Sequence, residues 1–441
     1  MENSFSLTTI RGVKMSKILD NYHNDKDLLN SIVLSKFPFL KVGNILATQI
    51  WKMHTLSYKK ILVKFFSIVL CDKYSISYSK NEDESIALLN ASAGMMRGDN
   101  ELIINNAFSF IKPCTKINIY KINKINLKRV IKKLITIFKY SKELYVIKNI
   151  DARLFYAASL TIINQLSEEL DLQLRKISFL VTFMDSDIIE NYITQTIQHF
   201  GGKVAALQHG QRFYINAPCD SYVGMDNFTA DYKLVWSHFS QIQYLNAGYP
   251  IERLPIVGST KYLDLENKTH NINNKIAIFF DGPLSYNSRE SNLDMLRIVS
   301  QYCEKKALSY LIKLHPVDSI EKYNCVNQEN IQIVDSKLQI EEISNLISFA
   351  IVHSSGVAID LLILGIPVLV FGTPSVNFPI GLPKDYYFNS CEDLENILCT
   401  WKNNYDTEIK KFEIIRKNYM EENPRELHNS FFSQFKRGYK L

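Results

Sequence analysis

Four short polar clusters carry side chains able to move protons or hold phosphate: Gln208-His209-Gly210, Asp281-Gly282-Pro283, His315-Pro316 and His353-Ser354-Ser355-Gly356. An unperturbed imidazole titrates near pH ~6.5, so His209 suits general-base work on a hydroxyl. Asp281 stands beside Gly282, which permits close backbone approach, so its carboxylate suits a base or an acceptor for a sugar hydroxyl. His315 precedes a proline, which holds it extended and able to donate to a phosphate oxygen or steady a leaving group. Ser354, Ser355 and Gly356 open an apolar run whose free peptide N–H groups favour an anion, and Asp360 lies one turn further in as a hydroxyl acceptor. Gln208 and Gly210 flank the first histidine and complete the substrate-binding candidates with Gly282. Each residue also has a plainer reading: serine caps a helix, aspartate closes a turn, histidine is hydrogen-bonded in a loop.

The elements that must position these clusters are legible as hydrophobic runs. Residues 177–183 and 203–207 read as buried strands, with a helix over 188–198 between them, capped by Asp185 and Ser186. Further strands fall at 232–236 and 254–257. After a polar segment at 265–274, the best linker candidate, strands at 276–280, 310–314, 331–334, 349–352 and 367–371 alternate with helices near 292–306, 339–346, 357–364 and 392–403. This alternation predicts an α/β protein built on parallel sheets. Each polar cluster then lies beyond the carboxyl end of a strand, where open α/β sheets bind ligands. From about residue 40 to 150 helical periodicity dominates, and residues 1–35 are polar and weakly patterned.

Composition bounds the rest. The chain has 441 residues, 46% hydrophobic and 22% charged, so it folds around sizeable cores and divides into two domains more readily than one. A net charge of +6 does not call for nucleic acid, and no nucleic-acid module is present. Seven scattered cysteines without a CxxC pair fit a reducing cytosol. The first residues lack an apolar signal core, and the uncharged stretch at 361–383 is broken by Gly365, Pro367 and Gly372, so no spanning segment is expected. No HExxH, GxxxxGK[ST] or strand-placed GxGxxG occurs, so neither a protein-bound metal nor a cofactor is expected. The stretch from Lys112 to Lys148 carries eleven Lys/Arg against one acid, Glu143. Leu127, Val130, Ile131, Leu134 and Phe138 share a helical face there, and Lys128, Arg129, Lys132, Lys133 and Lys139 crowd the other. That pattern suits an anionic membrane surface, or a core-packed helix with a solvated basic face.

With these residues in view, the chain resembles bacterial GT-B glycosyltransferases of capsule and lipopolysaccharide synthesis over roughly residues 175–380. The resemblance rests on Ala206-Leu207-Gln208-His209-Gly210, Val235-Trp236-Ser237, Gly248-Tyr249-Pro250 and Val257-Gly258-Ser259, then on Lys313-Leu314-His315-Pro316 and the run from His353 through Asp360 to Gly365-Ile366-Pro367. Sialyl- and polysialyltransferases use an acidic pair before glycine, a His-Pro and a Ser pair; Phe280-Asp281-Gly282 keeps one acid. Glycerophosphotransferases of teichoic-acid synthesis use a His-Gly and a His-Pro, which His209 and His315 match. Kdo transferases share the CMP-sugar logic.

The resemblance implies two Rossmann-like domains facing across a cleft: 1–260 binding the acceptor, 275–404 binding the nucleotide sugar, and a helical tail at 405–441. It implies an inverting, metal-independent transferase with a nucleotide-sugar donor, CMP-sugar favoured, and a glycan or lipid-linked acceptor, in the cytoplasm or at the inner face of the plasma membrane. His209 or Asp281 would deprotonate the acceptor, while His315, Ser354, Ser355 and the helix start at Gly356 hold the departing phosphate. The layout also resembles the non-hydrolysing UDP-N-acetylglucosamine 2-epimerases, although those carry carboxylates where this chain has Gln208-His209-Gly210 and His353-Ser354-Ser355-Gly356. An inactive GT-B scaffold is the reading from another class.

Overall fold

Two runs of alternating strand and helix fold into two sheets. The computed structural model describes residues 3–79, 85–91, 93, 98–112, 114–123, 125–211, 220–263, 275–281, 288–315, 321, 330–334, 338–353, 355–372 and 381–438. Gly282, Ser354, Pro316 and the expected linker at 265–274 lie outside the described residues.

The first sheet comprises β1 (Asp72–Ser79), β2 (Ile86–Asn90), β3 (Thr115–Asn123), β4 (Phe179–Thr182), β5 (Lys203–Leu207) and β6 (Tyr232–Leu234), in the order β1-β3-β2-β4-β5-β6. Only β1 runs antiparallel, against β3, at the edge. Half of this sheet falls in the region whose periodicity predicts helix. The correction has a local cause: in β3, Ile117 and Ile119 are buried while Lys116, Asn118 and Tyr120 alternate with them, a period-2 signal masked by basic residues. The polar N-terminal segment is also ordered differently from its pattern, as the helix Asn3–Asn30. It is anchored by Tyr22 and Lys26, both bonded to Asp226. Residues 254–257 contribute an isolated bridge, Val235 to Ile256, rather than a strand.

The second sheet is parallel throughout: β7 (Lys275–Phe279), β8 (Tyr310–Lys313), β9 (Ile331–Val334), β10 (Ile347–Val352), β11 (Val368–Phe371) and β12 (Tyr387–Phe388), ordered β12-β11-β10-β7-β8-β9. β7, β8 and β10 are fully or almost fully buried apolar runs, as a sheet covered on both faces requires. The order reverses beside β7: β8 and β9 build outward on one side, β10 to β12 on the other. That is the doubly wound arrangement, and it opens a crevice between β7 and β10.

The chain crosses between the sheets twice. After residue 260, Lys261 and Tyr262 reach Asp360 on the helix Val357–Ile363. Near the C-terminus, the helix Pro424–Gly438 returns to the first sheet. Its Phe435 ring stacks on Phe179 of β4 at 4.1 Å, and Phe431 and Phe432 pack beside it. No helix among the described residues is long and apolar enough to cross a membrane.

Candidate functional site

The crevice of the second sheet is where the chemistry gathers. Asp281 follows β7 and His353 follows β10, so adjacent strands deliver them to the same end of the sheet. His353 Nδ1 lies 2.8 Å from Asp281 Oδ2. The carboxylate is buried and the imidazole is mostly so. Asn292, at the start of the helix that follows β7, clamps the aspartate backbone: its Oδ1 accepts from Asp281 N–H at 3.1 Å and its Nδ2 donates to Asp281 C=O at 3.2 Å. A carboxylate bonded to Nδ1 orients the ring and leaves Nε2 as the nitrogen able to meet a ligand. His315 sits two residues past β8, on the other side of β7, and is half-buried.

These placements redistribute the expected roles. Asp281 does not face the cleft as a lone carboxylate; it is sealed under His353. His353 belongs to a cluster that the sequence singles out for its serines, and its pairing with a residue 72 positions away has no sequence signature. Asp360 has its Oδ1 within 2.8 Å of Tyr262 Oη and 3.3 Å of Lys261 Nζ. That carboxylate ties the two halves together.

At the facing edge, Gln208 closes β5. Its side chain is buried and spent inside the protein: Oε1 accepts from Trp236 N–H at 2.9 Å, and Nε2 donates to Ser240 Oγ and Gln211 Oε1, each at 3.2 Å. Trp236 Nε1 also donates to the Gln208 carbonyl at 3.0 Å. Gln208 therefore braces the loop that presents His209 and Gly210. The His209 ring is half-buried and packs on Phe183, just beyond β4, at 4.7 Å. Among the described residues, a Cβ built on Gly210 would meet nothing within 4 Å.

The two edges meet. A Cβ added to Gly356 would stand 3.8 Å from the Gln211 carbonyl oxygen, which brings the His209 loop against the start of the helix after β10. Ser355 Oγ accepts from Val357 N–H at 3.4 Å, a long cap. The structure thus gathers Asp281, His353 and Ser355–Gly356 at one sheet end, with the loop 208–211 opposite. Among the described residues, no group of three His, Cys, Asp or Glu side chains is placed to hold a metal ion.

Two Rossmann-like sheets with strand ends facing across a cleft define the GT-B architecture. A putative UDP-N-acetylglucosamine 2-epimerase from Listeria monocytogenes is similar in structure, with a TM-score of 0.51 and 12% identity over 80% of this chain and 96% of that one. MnaA of S. aureus, solved with UDP, is similar at a TM-score of 0.47 and 13% identity, covering 80% of this chain and 95% of its own. The glycotransferase of kitacinnamycin gives 0.44 and 10%, over 80% and 98%. No family model and no curated protein matches the sequence. At such identities the likeness shows the fold alone.

Proposed function

We propose that the protein is a GT-B glycosyltransferase that moves a sugar from a nucleotide-activated donor to a glycan or lipid-linked acceptor with inversion. The observation that carries this reading is the His353–Asp281 pair at the topological switch point of the second sheet, the position where doubly wound sheets bind nucleotides. His353, oriented by Asp281, meets the leaving phosphate through Nε2, with His315 and the Ser355–Gly356 backbone beside it. His209 on the opposite loop takes the proton from the acceptor hydroxyl as that oxygen attacks the anomeric carbon. The bond from that carbon to the phosphate oxygen breaks, and the nucleotide leaves with the electron pair. The preference for a CMP-sugar rests on the resemblance carried by His315-Pro316 and the Ser354-Ser355 pair.

The second reading, a 2-epimerase, is favoured by the fold shared with the Listeria protein. It needs acid–base carboxylates in the cleft, whereas Asp281 and Asp360 both have partners inside the protein.

A thermal-shift screen against CMP, CDP, UDP, GDP and their sugars tests the nucleotide site, since a ligand at 100 times its Kd stabilises the fold by about 2.7 kcal/mol. The expected result is a shift with one nucleotide that His353→Ala and Asp281→Asn reduce and His209→Ala leaves in place. With the matching donor and acceptor, His209→Ala should cost on the order of 100-fold or more in turnover. Failure of every nucleotide to shift folded protein would return the inactive scaffold. Interconversion of UDP-N-acetylglucosamine without an acceptor would establish the epimerase.

A further inference from the structure

We propose that the helices Tyr58–Phe66 and Leu127–Glu143 together form a face that lies on an anionic lipid bilayer. In the second of these helices the stripe Leu127, Ile131, Leu134, Ile135 and Phe138 recurs at helical spacing, and such a stripe ordinarily turns into the core. Here it faces solvent: Leu127 is 73% exposed, Ile135 67% and Phe138 64%. The helix packs through other residues, with Ile137 and Tyr140 buried against the long helix Ile150–Leu174.

The first helix does the same. Tyr58, Leu62, Phe66 and Leu70 stand four residues apart along one side and are exposed, as is Val63 beside them. Both helices pack on the turn Ser67–Cys71 and on the helix Ile150–Leu174, and Lys133 Nζ donates to the Ile68 carbonyl at 2.6 Å, so the two helices flank the same turn. Two exposed apolar stripes on helices that share their packing partners exceed the scattered apolar residues of an ordinary surface.

Charge selects the occupant. Lys59, Lys60 and Lys64 on one helix are exposed, and on the other Lys128 and Lys139 are exposed at positions that border the apolar stripe beside Ile135. The helix Tyr58–Phe66 holds no acid, and the other holds only Glu143, whose carboxylate is bonded to Ser35. An apolar stripe bordered by lysine matches the acyl–headgroup boundary of a membrane with anionic lipid. A second copy of this chain would bring like charges together at the same face. The proposal does not depend on the transfer reaction, because these helices lie apart in sequence from every residue assigned to the site.

Flotation of the full-length protein with vesicles of phosphatidylcholine containing about one third phosphatidylglycerol tests it, against pure phosphatidylcholine and at raised salt. The expected result is binding to the anionic vesicles that weakens at least ten-fold on neutral ones. Each basic residue is worth about five-fold in partition, so Lys128→Ala with Lys139→Ala should weaken binding roughly 25-fold. Leu134→Asp with Phe138→Asp should abolish it, with an unchanged melting temperature because both side chains are exposed. No flotation with anionic vesicles, equal flotation of the Asp variant, or a dimer that the same Asp variant splits would each overturn the assignment.

Discussion

Gln208 shows how a polar residue next to a candidate catalytic group can serve the scaffold. Its amide links the ends of β5 and β6, and each of its polar atoms has a partner among Trp236, Ser240 and Gln211. Leaving a buried N–H without its acceptor costs about 1–3 kcal/mol. Gln208→Ala is therefore expected to destabilise the fold by about that amount by orphaning Trp236 N–H, and to lower turnover through displacement of His209. Denaturant unfolding measures the first effect. Unchanged stability would show that water fills the place of the amide. The Asp281–His353 pair is the converse case at the same scale: the carboxylate is buried and the imidazole bonded to it is the more exposed partner.

At the scale of elements, the helix Pro424–Gly438 is fastened by a neutral histidine. His428 lies buried between Phe110, stacked at 5.0 Å, and Phe432, and its Nε2 is 3.2 Å from the Gly258 carbonyl. Burial pushes its pKa down to about 4. An unfolded histidine binds its proton near pH ~6.5, so between these values the unfolded state holds the proton and the folded state does not. The stability that the neutral ring confers is present above pH ~6.5 and is lost as pH falls towards ~4, at most about 3 kcal/mol. His428→Phe keeps the ring stack and removes the titration. Its unfolding free energy should vary less than the wild type's across that window; parallel curves would show that other groups carry the acid sensitivity. Gly258 is required beneath this helix: its φ is +77°, and a Cβ there would stand 2.5 Å from Pro424 Cβ.

At the scale of the molecule, the two halves are joined by side chains on either side of the cleft. Asp360 accepts from Tyr262 and pairs with Lys261, whose side chain is nearly buried and also lies over the Tyr262 ring at 4.9 Å. On the returning segment, Asn418 C=O accepts from Phe239 N–H at 3.1 Å, and the Tyr419 ring rests on Phe239 at 4.8 Å. Breaking a buried pair from one side leaves a charge uncompensated, which costs about 3–5 kcal/mol when burial is complete. Asp360→Asn should accordingly cost about 2–4 kcal/mol and make the segment around residue 261 more open to limited proteolysis, with little effect on the helix Leu127–Glu143. Proteolysis patterns identical to wild type would mean that the C-terminal helix alone holds the halves together.

The sequence by itself determined the parallel α/β class, the β5 strand to the residue and the main strands of the second sheet to within two. Long buried apolar runs and their glycine and proline boundaries are local signals. It also placed the polar clusters at strand ends, because a strand stops where its apolar run stops. Tertiary structure alone decided the rest. β1 and β3 join the sheet through β2, which pairs with β4, and such strand pairing is non-local. The partnership of His353 with Asp281 follows from strand order, which makes β7 and β10 neighbours although β8 and β9 lie between them in the chain. Asp360 became a tie between the two halves because Tyr262 and Lys261 fold over it. The outward turn of Leu127, Ile135 and Phe138 was decided by which face of their helix the Ile150–Leu174 helix covers, and periodicity reports a face without saying what lies against it.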